Sequence, residues 1–216
     1  MKINTDGVLI AAMANHERPQ HILDIGTGTG VMALMLAQRF PQTEVEAVDV
    51  DAQAAETAGR NFQKSVFSDR LTIKHIAIEQ YNHSEPFDLI VSNPPFFVND
   101  LKNIEERKGI ARHTDERFFE MLIDKSNELL AQKGKLWLIL PVKQANEVIE
   151  YALIHHLRLI ERINLHSDEH KPTFRQIICL AKEDLGFRET DFYIYESLKV
   201  HSSAYKLLLK DFFLAF

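Results

Sequence analysis

A chain of 216 residues can build one sizeable hydrophobic core, and a single domain over 1–216 is expected. Hydrophobic residues at 45% and charged residues at 26% give an ordinary globular balance, which argues against a disordered or fibrous protein. A net charge of −6 is not that of a uniformly basic nucleic-acid binder, so any such partner would need a local basic face.

Thr5 and Asp6 read, by themselves, as a helix N-cap. The first strand signal, 21–25, runs into Asp24-Ile25-Gly26-Thr27-Gly28-Thr29-Gly30 and then into a helix pattern over 30–39. Alternating glycines permit backbone conformations and close ligand approach that a Cβ would block. The helix start beyond them offers free N–H groups. Asp24, at the strand end, either orients this loop or accepts from a cationic ligand group.

A strand over 43–49 ends on Asp49, and a helix over 52–65 follows. Gly28 to Ala33 satisfies the relaxed dinucleotide fingerprint, and Asp49 lies where a ribose-binding acid is expected, so a nicotinamide enzyme competes. Against it, an acid leads the glycine loop where a diphosphate would be repelled. A cofactor with an amino-acid end and a ribose but no phosphate fits better, and S-adenosylmethionine has that shape.

Strands over 70–75 and 87–92 come next, and the second closes on Ser92-Asn93-Pro94-Pro95-Phe96. Two successive prolines remove two backbone donors and fix two φ angles, leaving the Asn side chain and the following carbonyl as rigid acceptors. Such a pair beside an aromatic plate suits a planar amine held by its two N–H bonds. A proline-stiffened loop after a strand is the bland alternative.

The remaining signals are helix 115–131, strand 134–140, helix 143–155 and strands 157–165 and 174–182. Alternating β and α with continuous apolar central strands implies a doubly wound α/β sandwich, covered on both faces. Ligands in such folds sit beyond the carboxyl ends of the strands, where Gly26, Asp49 and Asn93 all fall. Cys179 reads as a buried strand residue, and one cysteine excludes an intramolecular disulfide. The ten histidines are scattered without ligand spacing, so no metal is expected. No apolar stretch approaches a membrane span, so no membrane association is expected.

With these residues quoted, the chain resembles the bacterial tRNA1(Val) (adenine(37)-N6)-methyltransferase family, within the class I S-adenosylmethionine-dependent methyltransferases. The resemblance is carried by Thr5-Asp6-Gly7, the loop from Asp24 to Gly30, Ala47-Val48-Asp49 and Phe87 to Phe96. It continues through Ala111-Arg112-His113-Thr114, Lys171-Pro172 with Arg175, and the tail from Ser203 to Phe213. It implies a Rossmann-like sheet with an antiparallel C-terminal hairpin, a monomeric cytoplasmic enzyme, and a tRNA acceptor. It implies that Asn93 and Pro94 clamp the amine, with Pro95 stiffening the box and Phe96 stacking on the base. Around the cofactor it implies Thr5, Asp6, Gly26, Gly28, Gly30 and Asn93, with Asp24 under the amino group, Asp49 on the ribose and Ile78 beside the adenine. Where the family carries an acid for the adenine amino group this chain has Ala77, and Glu79 two residues later is the candidate substitute. Relatives carry more chain ahead of Thr5, so a cofactor-covering or RNA-contacting edge is expected to be reduced here.

The box alone leaves the acceptor open, because an rRNA guanine-N2 or a protein glutamine-N5 also presents a planar nitrogen. A cofactor- or RNA-binding module without turnover is a further reading, opposed by the intact Asn93 and Asp49. Candidates for a basic face are Lys102, Arg107, Lys108 and Arg112, and separately Lys171 with Arg175, which are expected to hold the RNA.

Overall fold

The computed structural model describes residues 5–95 and 107–213, with the backbone alone over 107–116. Its centre is one sheet whose strands are β1 (His21–Ile25), β2 (Glu44–Asp49), β3 (Leu71–His75), β4 (Phe87–Ser92), β5 (Leu130–Leu140), β6 (Arg158–His166), β7 (Thr173–Ala181) and β8 (Arg188–Tyr193). They lie in the order β3-β2-β1-β4-β5-β7-β6-β8. β7 runs antiparallel to both neighbours, β5 and β6, and every other pairing in this sheet is parallel. The α/β class and the antiparallel pair expected near the C-terminus are both present.

Side-chain alternation divides the sheet between two cores. On β4, Leu89 and Val91 join one core while Phe87 and Ile90 join the other. On β5, Trp137 and Ile139 face the first, and Leu136, Leu138 and Leu140 the second. Helices α1 (Thr5–Met13), α2 (Val31–Arg39) and α6 (Ser203–Leu209) contribute to the first core; α4 (Arg107–Leu129) and α5 (Val142–Ile154) contribute to the second. Helix α3 (Ala52–Lys64) packs Ala58 and Phe62 into the first. Burial on both faces is why these strands read as continuous apolar runs.

Several elements differ from the sequence expectation. Helix α4 begins at Arg107 rather than 115 and passes directly into β5, which starts at Leu130 because Leu130 pairs with Phe87 ahead of a register shift. Strand β8 is an edge strand, exposed at five of its six residues, so no apolar run marks it. A small two-stranded sheet, β9 (Tyr195–Ser197) with β10 (Val200–His201), and helix α6 complete the C-terminal part. Ser202 caps α6 by accepting from the Tyr205 N–H at 3.1 Å, a signal present in the sequence.

Candidate active site

The strand order reverses between β1 and β4, which creates a crevice at their carboxyl ends. Gly26 follows β1, Asp49 ends β2 and Asn93 follows β4, so three separate segments meet there. Ser92 ties the two central strand ends together by donating Oγ–H to the Ile25 carbonyl at 2.8 Å. The resulting cavity has a volume of about 520 Å³, within the range of small-molecule sites. Gly26, Gly28, Asp49, Ile78, Asn93, Pro94 and Pro95 all line it.

The glycine loop is held from behind. Gly26 and Thr27 donate to the Val48 carbonyl at 2.9 and 3.2 Å, which pins the turn to the end of β2. Asp24 is fully buried; its Oδ2 accepts from Thr27 Oγ1 at 2.6 Å and from the Ala33 N–H at 3.1 Å. Burial pushes the Asp24 carboxyl up to about 7, against the opposing pull of those two bonds. Asp24 is not among the cavity-lining residues; its Oδ2 shapes the loop, and its Oδ1 is buried with no hydrogen-bond partner among the described residues.

Gly26 has φ 73° and would carry a Cβ into open space, so its conformation, not crowding, is what requires glycine. Gly30 combines φ 84° with a built Cβ position only 2.5 Å from Phe62 Cε1. It lets the start of α2 pack on α3 and does not line the cavity. Both therefore serve the loop, and only the first reaches the crevice.

Asp49 accepts backbone N–H groups at both oxygens, from Gly28 at 2.8 Å and from Asp51 at 2.9 Å. A carboxylate has about four acceptor sites, so capacity remains for two hydroxyl donors. Asn93 Oδ1 is buried and has no hydrogen-bond partner among the described residues. Pro94 beside it is buried, whereas Pro95 is exposed.

Thr5 and Asp6 belong to α1 but do not line the cavity; Gly7 and Val8 do. Asp6 is ion-paired instead, its Oδ2 lying 3.1 Å from Arg175 Nε. Arg175 thus engages Nε with the protein's own carboxylate, and its Nη1 donates to the Phe174 carbonyl at 3.0 Å. Lys171 is exposed on the loop after β6, as an RNA-holding role requires. Phe96 and Lys102 lie outside the described residues, and Arg107, Lys108 and Arg112 are described only as helical backbone.

Ala77, Ile78 and Glu79 all line the cavity from the 3₁₀ turn after β3. Val50, Ile76 and Phe118 also line it and were not foreseen. Val50 is 71% exposed directly after Asp49, and an apolar residue so placed at a strand end is the signal that could have found it. Among the described residues, no group of His, Cys, Asp and Glu could hold a metal ion, and no helix is long and apolar enough to cross a membrane.

Comparison with known proteins adds the family. The Methyltransferase small domain family matches residues 4–165. The tRNA1(Val) (adenine(37)-N6)-methyltransferase of Pedobacter heparinus is 52% identical over 216 residues, covering 100% of this chain and 92% of that protein. The chain belongs to the tRNA1(Val) (adenine(37)-N6)-methyltransferase family. A member of this family from Vibrio campbellii is 35% identical, covering 99% of this chain and 89% of its own. Among solved structures, a predicted O-methyltransferase from Agrobacterium tumefaciens superposes with a TM-score of 0.72 at 19% identity, covering 95% of this chain and 96% of that one. A TehB-like methyltransferase from Corynebacterium glutamicum gives 0.57 at 19% identity, covering 84% and 89%. These two establish the fold alone. The family resemblance read from the sequence is therefore borne out.

Proposed function

We propose that this chain methylates N6 of adenine 37 in the anticodon loop of a valine tRNA, using S-adenosylmethionine. The observation that carries this reading is the buried, unpartnered Asn93 Oδ1 in the wall of the crevice. An unpaired buried acceptor costs about 1–3 kcal/mol, and a donor supplied from outside the protein removes that cost. The relatives' names supply the acceptor: a tRNA adenine whose N6 carries two N–H bonds.

The residues present fit the cofactor. Gly26 opens one wall to close approach, Asp49 keeps acceptor capacity for ribose hydroxyls, and Ile78 with Val50 offers apolar walls for an adenine ring. When bound, S-adenosylmethionine supplies an electrophilic methyl group on a sulfonium sulfur.

The chain's own residues would then do three things. Asn93 Oδ1 and the Pro94 carbonyl would each accept one amine N–H, which favours a more tetrahedral nitrogen with an available lone pair. The two prolines would keep these acceptors in place before the base arrives, so little reorganisation is required. Positive charge develops on the nitrogen before its proton leaves, so neither acceptor must be a strong base. Phe96 would stack on the target base, which must be unstacked to enter. An anticodon-loop nucleotide meets that condition more readily than a duplex one.

Incubation with labelled S-adenosylmethionine and separated tRNA, rRNA and protein fractions tests the reading. Label is expected in tRNA as N6-methyladenosine; label confined to rRNA or protein would move the assignment to guanine-N2 or glutamine-N5 chemistry.

A further inference from the structure

Phe174, at the start of β7, is 37% exposed and packs into neither core. One exposed aromatic is ordinary by itself; its place and the way it is held are not. The pairing of β6 with β7 skips it. Leu165 pairs with Arg175 and His166 with Thr173, which leaves Phe174 as the extra residue of a bulge. A bulged residue leaves the ladder, and its side chain is re-aimed. The Arg175 guanidinium stands 5.9 Å from the centroid of the ring. That guanidinium is itself fixed by Asp6 Oδ2 and by the Phe174 carbonyl.

The loop ahead of Phe174, residues 167–172, is equally tied. Lys171 N–H donates to the Asp168 carbonyl at 3.1 Å, and His170 N–H to Asp168 Oδ1 at 3.0 Å. His166 Nδ1 lies 2.9 Å from the Lys171 carbonyl, which can only accept, so that nitrogen carries a proton. Pro172 adds a fixed φ. The acids of the loop are engaged within it, Asp168 as above and Glu169 at 3.4 Å from His170 Nε2. Lys171 and Phe174 face solvent from an ordered segment, so a ligand pays little to order them.

Two observations set this ring at the rim of the crevice. Ser92 of β4, Leu138 of β5 and Ile178 of β7 share one row of the sheet. Because β7 runs antiparallel to β5, Phe174 lies about 13 Å beyond that row, on the side where Asn93 follows β4. Sideways it is two strands from β4, about 10 Å. Independently, Arg175 bonds to Asp6, the chain neighbour of the wall residue Gly7.

We infer that Phe174 is a stacking platform for an unpaired base of the RNA beside the target adenine. A ring flanked by Lys171 and Arg175 suits a group that is planar in one part and anionic in another, which describes a nucleotide. The inference rests on the proposed RNA acceptor and adds a docking residue outside the crevice that holds the target.

Stacking and charge pairing differ in what they alter. Phe174→Ala should raise KM for tRNA by about 5–100-fold, the scale of one lost base–aromatic stack, with the salt slope of binding intact. Lys171→Ala should instead lower that slope by about one. Phe174→Trp should keep the wild-type KM, whereas Phe174→Leu, apolar but without a ring, should behave as Phe174→Ala. An unchanged S-adenosylmethionine Kd in all three variants checks that the fold is retained. A direct reading uses an anticodon-loop oligonucleotide carrying a fluorescent adenine analogue on either side of the target, since stacking quenches its emission. Wild type should quench it at one of these positions and Phe174→Ala should not. Equal quenching by both proteins, an unchanged KM in Phe174→Ala, or full function in Phe174→Leu would overturn the platform. Quenching that depends on Phe174 in a protein that methylates no tRNA would retain the platform and remove the assigned acceptor.

Discussion

Asn93 and Asp49 occupy the same crevice with opposite expected effects. Asn93 Oδ1 has no protein partner among the described residues, so its removal costs the fold little and turnover a great deal. Asn93→Ala should lower kcat by about 10²–10³-fold with the cofactor Kd hardly moved. Asp49→Ala should instead weaken cofactor binding by about 10–100-fold, measured by calorimetry, and lower stability by freeing the Gly28 and Asp51 N–H groups. Asp24 should add a pH dependence to stability. Its folded pKa of about 7 lies above the ordinary value of 3.8, mainly through burial. The folded protein therefore binds a proton that the unfolded chain has released across that window. Its contribution is full below about 3.8 and is lost as pH rises through about 7, with a slope of at most ~1.4 kcal/mol per pH unit. Asp24→Asn should remove that slope in denaturant titrations between about pH 4 and about pH 7. An unchanged slope would assign the pH dependence to other groups.

The elements that build the crevice were legible because their signals are local. Strand β1, the glycine loop and α2 follow one another, and β4 runs straight into the proline box. Asp49 and Asn93 stand out at strand ends for the same reason. What the sequence hid was pairing at a distance: Asp6 with Arg175, and Gly30 with Phe62. Helix α1 has six consecutive buried residues, Gly7 to Ala12, so it shows no amphipathic period to read. Gly30 carries the clearest prediction at this scale. Gly30→Ala adds a methyl to a left-handed residue and drives it into the Phe62 ring, joining backbone strain to a clash. Chemical denaturation should show a loss of at least about 1–3 kcal/mol, with thermal unfolding moving in the same direction. A neutral substitution would mean that the start of α2 can rearrange.

At the scale of the molecule, the sheet order converts three scattered motifs into one site. Parallel β1, β2 and β4 place their carboxyl ends together, and the reversal between β1 and β4 leaves the gap that the glycine loop and the proline box border. This convergence followed from the alternation of strands and helices, whereas the outer edge did not. Strand β8 and the β9–β10 pair are polar or short, so their place follows from pairing with neighbours rather than from their own pattern. The family supplies the acceptor, and the crevice supplies a reason why a planar amine fits it. The most direct test joins the two: nucleoside mass spectrometry of purified valine tRNA from a strain lacking this gene, complemented with the wild type or with Asn93→Ala. N6-methyladenosine at position 37 should be absent from the deletion, restored by the wild type and not by Asn93→Ala. Its persistence in the deletion strain, or full restoration by Asn93→Ala, would contradict the account.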